Sequence, residues 1–290
     1  MGYAVKRPPQ HDQLTLRGLT FHLYRWQGSD PVPAVLLHGW GDTGETWQFV
    51  VDHLPESRTY VAFDARGFGR THWSDGDYWF PDYLADLDAL LDELCPHAAV
   101  DLVGHSMGGN VACIYAGVRP ERVRRLVNLE GLGLARTRAD EAPSRYRDWL
   151  DQVRDGTAFM TYDSYDQFAQ VLARRNPRTS ADHLDFIARA WAEERNGRIQ
   201  LRADPRHKRV SATLYQRDQI EACWKEITAP VLFAMGMHSE HVRRLGEELA
   251  PARLASLLRD LTLVDVADAG HMMHHEQPAA VAELITEFLR

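Results

Sequence analysis

The chain has 290 residues, a formal net charge of -8 at pH 7 and a pI near 5.9, with 44% apolar and 26% charged residues. This length allows one or two domains with a large core, and the acidic balance argues against partners such as nucleic acid or an anionic membrane. No apolar stretch is long enough to span a bilayer, and residues 1–9 lack the apolar segment of a signal peptide. Cys95, Cys113 and Cys223 lie far apart and are predicted to be reduced thiols of a cytoplasmic protein.

The first predicted element is a hairpin over residues 14–26, where apolar and polar side chains alternate as they do at the edge of a sheet. Short apolar runs further along the chain are typical of buried parallel strands. They cover residues 32–37, 60–63, 99–103, 126–129, 231–234 and 261–266. Helical patterns separate them at residues 80–94, 110–118, 241–258 and 278–289. This alternation predicts an α/β fold, with a mainly parallel sheet covered by helices on both faces.

The pentapeptide Gly104-His105-Ser106-Met107-Gly108 lies between the third buried strand and a predicted helix. Strand, sharp turn and helix are the setting of a nucleophile elbow, in which a strained backbone exposes the serine hydroxyl to a base. The glycines on either side of Ser106 leave room that a Cβ atom would occupy. A turn with only a structural role is the alternative interpretation of the same five residues.

Two further motifs follow the ends of predicted strands. His38-Gly39-Trp40-Gly41 comes after the first buried strand, and Asp268-Ala269-Gly270-His271-Met272 comes after the last one. Together with the pentapeptide, and in this order, they resemble the α/β-hydrolase superfamily over nearly the whole chain, from about residue 14 to residue 288. The resemblance implies the α/β-hydrolase fold, with a mainly parallel eight-stranded sheet flanked by helices and an inserted helical cap.

The cap is expected where the alternation of strands and helices stops. No clear strand is visible from residue 134 to residue 224, a stretch in which helical, charged and aromatic segments dominate. The resemblance therefore implies a core formed by residues 1–133 and 226–290, with residues 134–225 as the cap. A serine at the elbow argues against haloalkane dehalogenases and epoxide hydrolases, which carry an aspartate there.

Acyl transfer requires a nucleophile, a base, a group that orients the base and donors for an oxyanion. Ser106 is the predicted nucleophile. The resemblance implies His271 as the base, since members of the superfamily keep it on the loop after the last strand, and His274 and His275 are its local competitors. The predicted oxyanion hole consists of the backbone N–H groups of Met107, at the start of a helix, and of Trp40.

The acid is predicted less directly, because the chain departs from the commonest pattern of the superfamily. An aspartate usually follows the strand after the cap, but Ser239 occupies that position here and Glu240 comes one residue later. Glu130 ends the strand after the elbow helix, where some relatives keep their acid, and a carboxylate there is expensive to bury without a partner. Glu130 is the preferred acid and Glu240 the alternative, with Asp265 and Asp268 behind both.

Other polar residues near these motifs are predicted to be structural. His38 and His105 are expected to be hydrogen-bonded beneath the loops. Asp64 and Arg66, in a D-x-R-G-x-G turn, are expected to satisfy loop backbone groups and each other. We predict no metal site and no cofactor, since His271 and the histidines that follow it have no acidic or cysteine partner nearby at metal-ligand spacing.

Aromatic residues are frequent in the predicted cap, and two or three of them are expected to line a pocket for an apolar or aromatic substrate. The predicted substrate-binding residues are Trp40, Tyr146 and Trp149. The sequence thus predicts a cofactor-free serine hydrolase that cleaves a small carboxylic ester or thioester through an acyl-enzyme. A carbon–carbon hydrolase or lyase and a ligand sensor with vestigial hydrolysis are the alternatives. The expected partner is a small-molecule substrate, and a homodimer is a further expectation.

Overall fold

The computed structural model describes residues 2–290. Its β-strands are β1 Gln10–Leu16, β2 Leu19–Trp26, β3 Ala34–Leu37, β4 Tyr60–Phe63, β5 Val100–His105, β6 Val123–Leu129, β7 Ala192–Arg195, β8 Arg198–Leu201, β9 Val231–Gly236 and β10 Leu261–Val266. Its α-helices are α1 Gln48–Val51, α2 Phe80–Leu94, α3 Met107–Val118, α4 Ala142–Asp155, α5 Tyr165–Arg175, α6 Ala181–Trp191, α7 Arg217–Lys225, α8 Glu240–Leu245, α9 Pro251–Leu257, α10 Met273–Glu276 and α11 Pro278–Phe288. Within residues 2–290, no helix combines the length and the apolar character that crossing a membrane requires.

Eight strands form one sheet in the order β1-β2-β4-β3-β5-β6-β9-β10. Strand β2 is antiparallel to both of its neighbours, and every other pair in the sheet is parallel. The predicted mainly parallel, eight-stranded sheet with an antiparallel hairpin at one edge is confirmed. Because the carboxyl ends of parallel strands meet at one edge of a sheet, the loops after β3, β5, β6, β9 and β10 lie side by side, which is where ligands bind in such folds.

The core has one apolar layer on each face of this sheet. Successive residues of β5 alternate between the two, so that Leu102 packs with Leu87 and Ala112 on one face while Val103 packs with Ile285 on the other. Burying each such leucine or isoleucine side chain contributes about 1.5–3 kcal/mol. The two layers therefore make the central strands a rigid platform for the loops at their carboxyl ends.

The helix predicted over residues 241–258 is divided in the structure. Gly246 has a φ of +48°, and it follows directly after the last residue of α8. A short 3₁₀ turn intervenes before Pro251 opens α9. A left-handed glycine and an N-terminal proline are ordinary signals for ending one helix and starting another, and they outweigh the apolar periodicity that runs across them.

The stretch predicted to lack strands contains a hairpin. Strands β7 and β8 pair antiparallel through the two-residue turn Asn196-Gly197, in which both residues have a positive φ, 53° and 72°. Asn-Gly is the preferred sequence of such a two-residue turn, so this signal was present in the sequence. Helices α4 to α7 lie in the same stretch and are joined by loops and short 3₁₀ turns. The division of the chain into core and cap stays a prediction.

The chain after β8 docks the predicted cap onto the loop that follows β4. Gly69 N–H donates to Arg202 O at 2.7 Å, and Asp204 N–H donates to Gly67 O at 2.9 Å. The His207 imidazole lies between two aromatic rings, with centroids 3.9 Å from Phe68 and 3.6 Å from Tyr78. This segment therefore fixes where the predicted cap meets the sheet.

Burial lowers the pKa of His207 to about 4, although nearby Asp204 acts in the opposite direction. A lowered folded-state pKa means that the unfolded chain binds more protons, so stability falls as the pH drops from about 6.5 towards 4. Replacing His207 by phenylalanine keeps a ring in the stack and removes the titration. We expect the loss of unfolding free energy between pH 7.5 and pH 5 to shrink by about 2 kcal/mol. Urea unfolding at both pH values measures this, and parallel curves for variant and wild type would contradict it.

Candidate active site

Ser106 is the single residue between β5 and α3, and its backbone is strained, with φ 51° and ψ -115°. Ser106 N–H donates to Leu129 O at 2.9 Å, and Ser106 O accepts from Asn110 N at 3.0 Å. A Cβ atom on Gly104 would lie 2.5 Å from Gly108 O, and one on Gly108 would lie 2.6 Å from His38 O. Only glycine fits at these two positions, so the strained turn that carries Ser106 depends on both.

The structure brings Ser106, His271 and Glu130 together from three different loops. His271 Nε2 lies 3.0 Å from Ser106 Oγ, and His271 Nδ1 lies 2.6 Å from Glu130 Oε2. His271 Nδ1–H donates a hydrogen bond to the carboxylate, which leaves the Nε2 lone pair free to accept a proton from the serine. This is the arrangement of nucleophile, base and orienting acid that acyl transfer needs.

Glu130 is buried and its carboxylate has three donors. Besides His271, Gly236 N–H donates to Oε1 at 2.8 Å and Ser239 Oγ–H donates to Oε2 at 2.7 Å. Three hydrogen bonds offset much of the cost of removing a carboxylate from water. Ser239, which holds the position of the usual aspartate, therefore contacts the same oxygen atom as His271.

The other predicted candidates for base and acid lie elsewhere. The Glu240 side chain is 82% exposed and lies 3.8 Å from Arg243. His274 and His275 are buried beside Asp42, on the side of the loop away from solvent. Of the candidate side chains, only those of His271 and Glu130 make hydrogen bonds that lead to Ser106 within residues 2–290.

The two predicted oxyanion donors belong to chain segments that lie next to the serine. Met107 is the first residue of α3, so its backbone N–H has no carbonyl one turn earlier to bind. Trp40 belongs to the loop after β3, and a Cβ atom on the preceding Gly39 would lie 3.1 Å from Ser106 Cβ. The Trp40 loop therefore passes directly against the nucleophile.

His38 and His105 are buried and bonded to backbone groups, as predicted. His38 Nε2 accepts from Ala65 N at 2.9 Å, and His105 Nε2–H donates to His271 O at 2.8 Å. The expected pair of Asp64 and Arg66 is wrong. Asp64 accepts from Gly44 N, Arg70 N and Tyr24 Oη, whereas Arg66 pairs with Asp86 of α2 at 2.5 Å. The arginine points away from its own turn because α2 offers a buried carboxylate.

An aromatic cluster lies beside the site, with Trp40 exposed, Phe159 half-buried and Phe68 buried beneath them. Trp40 is 51% exposed, and its ring centroid is 6.2 Å from those of both Phe68 and Phe159. Tyr146 is exposed and Trp149 half-buried on α4, a helix that has no buried residue. The contribution of these two residues to a pocket stays a prediction, whereas Phe159 is the residue of the predicted cap that reaches Trp40.

One further histidine, His241, lies beside His271, and no sequence motif indicated it. Its ring centroid lies 4.2 Å from that of His271, in the first turn of α8. Burial, with the neighbouring His271, lowers the pKa of His241 below its ordinary value. The available signal was its position two residues after Ser239, which occupies the place of the usual acid. The helical pattern over residues 241–258 predicted only a helix there.

One group of side chains in the described part of the chain has the donor types and spacing of a metal site. Donor atoms of Asp42, His105 and His274 lie within 4.8 Å of one another, and all three residues are buried. His274 Nε2–H donates to Asp42, and burial lowers the pKa of His274 to about 3. Since each residue already has a hydrogen-bonding partner, we interpret the group as structural.

The model of the alpha/beta hydrolase fold family matches residues 33–278, which include all of the residues that meet at the site. The chain belongs to this family. Its relatives and structural neighbours include hydrolases and esterases, and the chain is an α/β-hydrolase.

Three similar proteins cover nearly the whole chain. A serine hydrolase-like protein of Danio rerio is 27% identical, over 91% of this chain and 83% of its own length. The 2-(acetamidomethylene)succinate hydrolase of Mesorhizobium japonicum is 25% identical, over 91% and 90%. The solved thioesterase domain from the curacin biosynthetic pathway has a TM-score of 0.85 and 25% identity, over 96% of this chain and 99% of that one.

Proposed function

We propose that this protein is a cofactor-free serine hydrolase that cleaves a small carboxylic ester or thioester through an acyl-enzyme. The supporting observation is the hydrogen-bonded chain from Ser106 through His271 to Glu130, with distances of 3.0 and 2.6 Å. These three residues would act as nucleophile, general base and orienting acid. The sequence similarity to the serine hydrolase-like protein and the structural similarity to the thioesterase domain support the same class of reaction.

In the proposed reaction, Ser106 Oγ attacks the acyl carbon while His271 Nε2 takes the hydroxyl proton. The Glu130 carboxylate stabilises the imidazolium that forms, and the N–H groups of Met107 and Trp40 bind the oxyanion. Collapse of this intermediate expels the alcohol or thiol, which receives the proton from His271. Water, activated by the same imidazole, then hydrolyses the acyl-enzyme and releases the carboxylic acid.

The proposed substrate class rests on Trp40 and Phe159, an exposed and a half-buried aromatic ring on the side of the loop that packs against Ser106. Such rings favour an apolar or aromatic acyl group over an anionic one, since a carboxylate that approaches them loses water and gains no hydrogen bond from the rings. We therefore propose a small apolar or aromatic ester or thioester. Two esters with the same leaving group, one with a phenylacetyl and one with a malonyl acyl group, compare the two kinds of substrate directly.

A fluorophosphonate reagent tests the proposal, because it phosphonylates only serines that are activated as nucleophiles. We expect one adduct per chain, located at Ser106 by peptide mass mapping, together with turnover of activated esters or thioesters. Heat-unfolded protein is the control and should remain unlabelled. Folded protein that takes up no reagent and hydrolyses no ester would contradict the proposal and favour a ligand sensor.

Product analysis separates hydrolysis of an ester from the carbon–carbon alternatives on the same three residues. An ester hydrolase releases one acid and one alcohol or thiol in equal amounts, and in H₂¹⁸O one ¹⁸O atom enters the acid. Labelling at Ser106 without release of acid from any ester or thioester would favour the carbon–carbon hydrolase or lyase instead.

A further inference from the structure

A second buried carboxylate lies behind the site and takes no part in the proposed proton transfer. Asp42 is 1% exposed. Its Oδ1 accepts from Thr43 N at 2.7 Å, Thr46 Oγ1 at 2.7 Å and Trp191 Nε1 at 2.6 Å. Its Oδ2 accepts from His274 Nε2 at 3.1 Å. A buried anion with this many donors is expensive to build, and it joins parts of the chain that are distant in sequence.

Through its backbone, Asp42 belongs to the turn that carries Trp40. Asp42 N–H donates to Gly39 O at 3.2 Å and closes the turn, and Gly41 has the positive φ, +76°, that the third residue of a type II turn requires. Trp40 is the second residue of this turn. The position of its N–H relative to Ser106 therefore depends on how firmly Asp42 is held.

Through its side chain, Asp42 contacts the loop of the proposed base. His274 lies three residues after His271, in the short helix α10, and His275 Nε2 lies 3.5 Å from Asp42 Oδ2. Burial alone would raise the pKa of Asp42, but the interactions with His275 and His274 outweigh it and hold that pKa well below its usual range. The carboxylate is therefore ionised and attracts the donors on this loop.

The third contact reaches the predicted cap. Trp191 is the last residue of α6, and its indole N–H donates to the same oxygen atom as the N–H and O–H groups of the Trp40 loop. From the same helix, the His183 imidazole contacts His275 O at 2.9 Å. One carboxylate thus connects the Trp40 turn, the His271 loop and the end of α6.

We propose that Asp42 is a positioning residue. It fixes the positions of the Trp40 N–H group and the His271 imidazole relative to each other and to the predicted cap. This inference rests on the proposed serine-hydrolase function. Asp42 touches no reacting atom, so it acts through the residues that it holds. Displacing catalytic groups by about 1 Å costs roughly 100-fold in rate, which sets the scale of the expected effect.

Two substitutions of Asp42 are expected to lower the activity to different extents. Asp42→Ala removes every acceptor, and we expect kcat on an activated ester to fall about 100-fold with KM changed less than threefold. Asp42→Asn keeps an oxygen for the Trp40 turn and for Trp191 but presents an NH₂ group to His274, and we expect about a 10-fold loss. Rates are calculated per active site titrated with fluorophosphonate, which removes any contribution of misfolded protein.

A boronic acid that mimics the tetrahedral intermediate gives the second readout. If Asp42 positions the oxyanion and base groups, the boronate dissociation constant rises by nearly the same factor as kcat/KM falls. The control is Asp52→Ala, because Asp52 is a carboxylate of the same region that binds Tyr3 Oη at 2.6 Å and Arg7 N at 2.9 Å, away from Ser106. This variant should lose stability without losing rate per site.

Each outcome bears on one of the two proposals. Normal rates per site in Asp42→Ala, or a lowered rate with an unchanged boronate constant, would overturn the positioning role while the hydrolase proposal stands. Wild type that takes up no fluorophosphonate would overturn the hydrolase itself. Should the alanine variant not fold, Asp42→Asn and Trp191→Phe, which keeps an aromatic side chain and removes the indole N–H, carry the test. A loss of kcat of about 10-fold in Asp42→Asn and about threefold in Trp191→Phe supports the positioning role, and unchanged kcat in both variants overturns it.

Discussion

Replacing Ser106 by alanine is expected to lower kcat on an activated ester by about 10⁶-fold, to the background rate of the assay. The expectation follows from the proposed acyl-enzyme, which cannot form without the hydroxyl that lies 3.0 Å from His271 Nε2. His271 and Glu130 have nothing to activate in the variant, so their contributions are lost together. Initial rates at high enzyme concentration measure the loss, and turnover above one-hundredth of the wild-type rate would contradict Ser106 as nucleophile.

A glycine at the same position is the matched control for folding. Ser106 and an alanine in its place share the strained backbone, with φ 51° and ψ -115°, whereas glycine adopts positive φ readily. We expect Ser106→Gly to be as inactive as Ser106→Ala but about 1 kcal/mol more stable to urea. Equal loss of activity in two variants of unequal stability would separate the chemistry of the hydroxyl from the integrity of the fold.

Much of this site could be predicted because its signals are local. The elbow needs two glycines within five residues, flanked by a strand and a helix. The structure places Ser106 between β5 and α3. The parallel sheet could be predicted for the same reason, since each buried strand is a short apolar run bounded by polar loops. The Asn-Gly signal for the turn between β7 and β8 was equally local, but the helical patterns on both sides of it outweighed it in the prediction.

Contacts between distant segments could not be predicted in this way. Nothing near Asp42 in the sequence indicates that Trp191 and His274 donate to its carboxylate, because those contacts depend on how α6 and the His271 loop pack. The predicted partner of Arg66, Asp64, was wrong for the same reason, because its actual partner Asp86 is 20 residues away on α2. Side-chain pairing across loops is decided by tertiary packing, and one sequence contains few signals for it.

The identity of the acid could be predicted in part from local signals, but the choice between two glutamates depended on contacts between distant segments. The sequence left Glu130 and Glu240 open, because both follow strands whose carboxyl ends meet at the same edge of the sheet. Their surroundings differ, since Glu130 accepts from three donors while the Glu240 side chain is exposed. We therefore expect Glu240→Gln to leave kcat within twofold of wild type.

Replacing Glu130 by glutamine is expected to lower kcat by about 10⁴-fold. The amide side chain has nearly the shape of the glutamate but presents an NH₂ group to His271 Nδ1, so the imidazole must carry its proton on Nε2. In that tautomer Nε2 cannot accept the Ser106 proton. Steady-state rates measure the loss, and slow but complete fluorophosphonate labelling would show that the serine is still present and accessible.

The position of Ser239 offers a stricter test, because a carboxylate there can take over the lost function. Ser239 Oγ lies 2.7 Å from Glu130 Oε2, so an aspartate in place of this serine would bring an oxygen close to the atom that binds His271. We expect Glu130→Gly/Ser239→Asp to recover about 10- to 100-fold over Glu130→Gly. Ser239→Asp alone should lose activity instead, since two carboxylates in one buried site repel each other. Recovery in the double variant against loss in both single variants would establish that the acid acts on His271 from either strand end, whereas additive losses would mean that Glu130 only supports the loop.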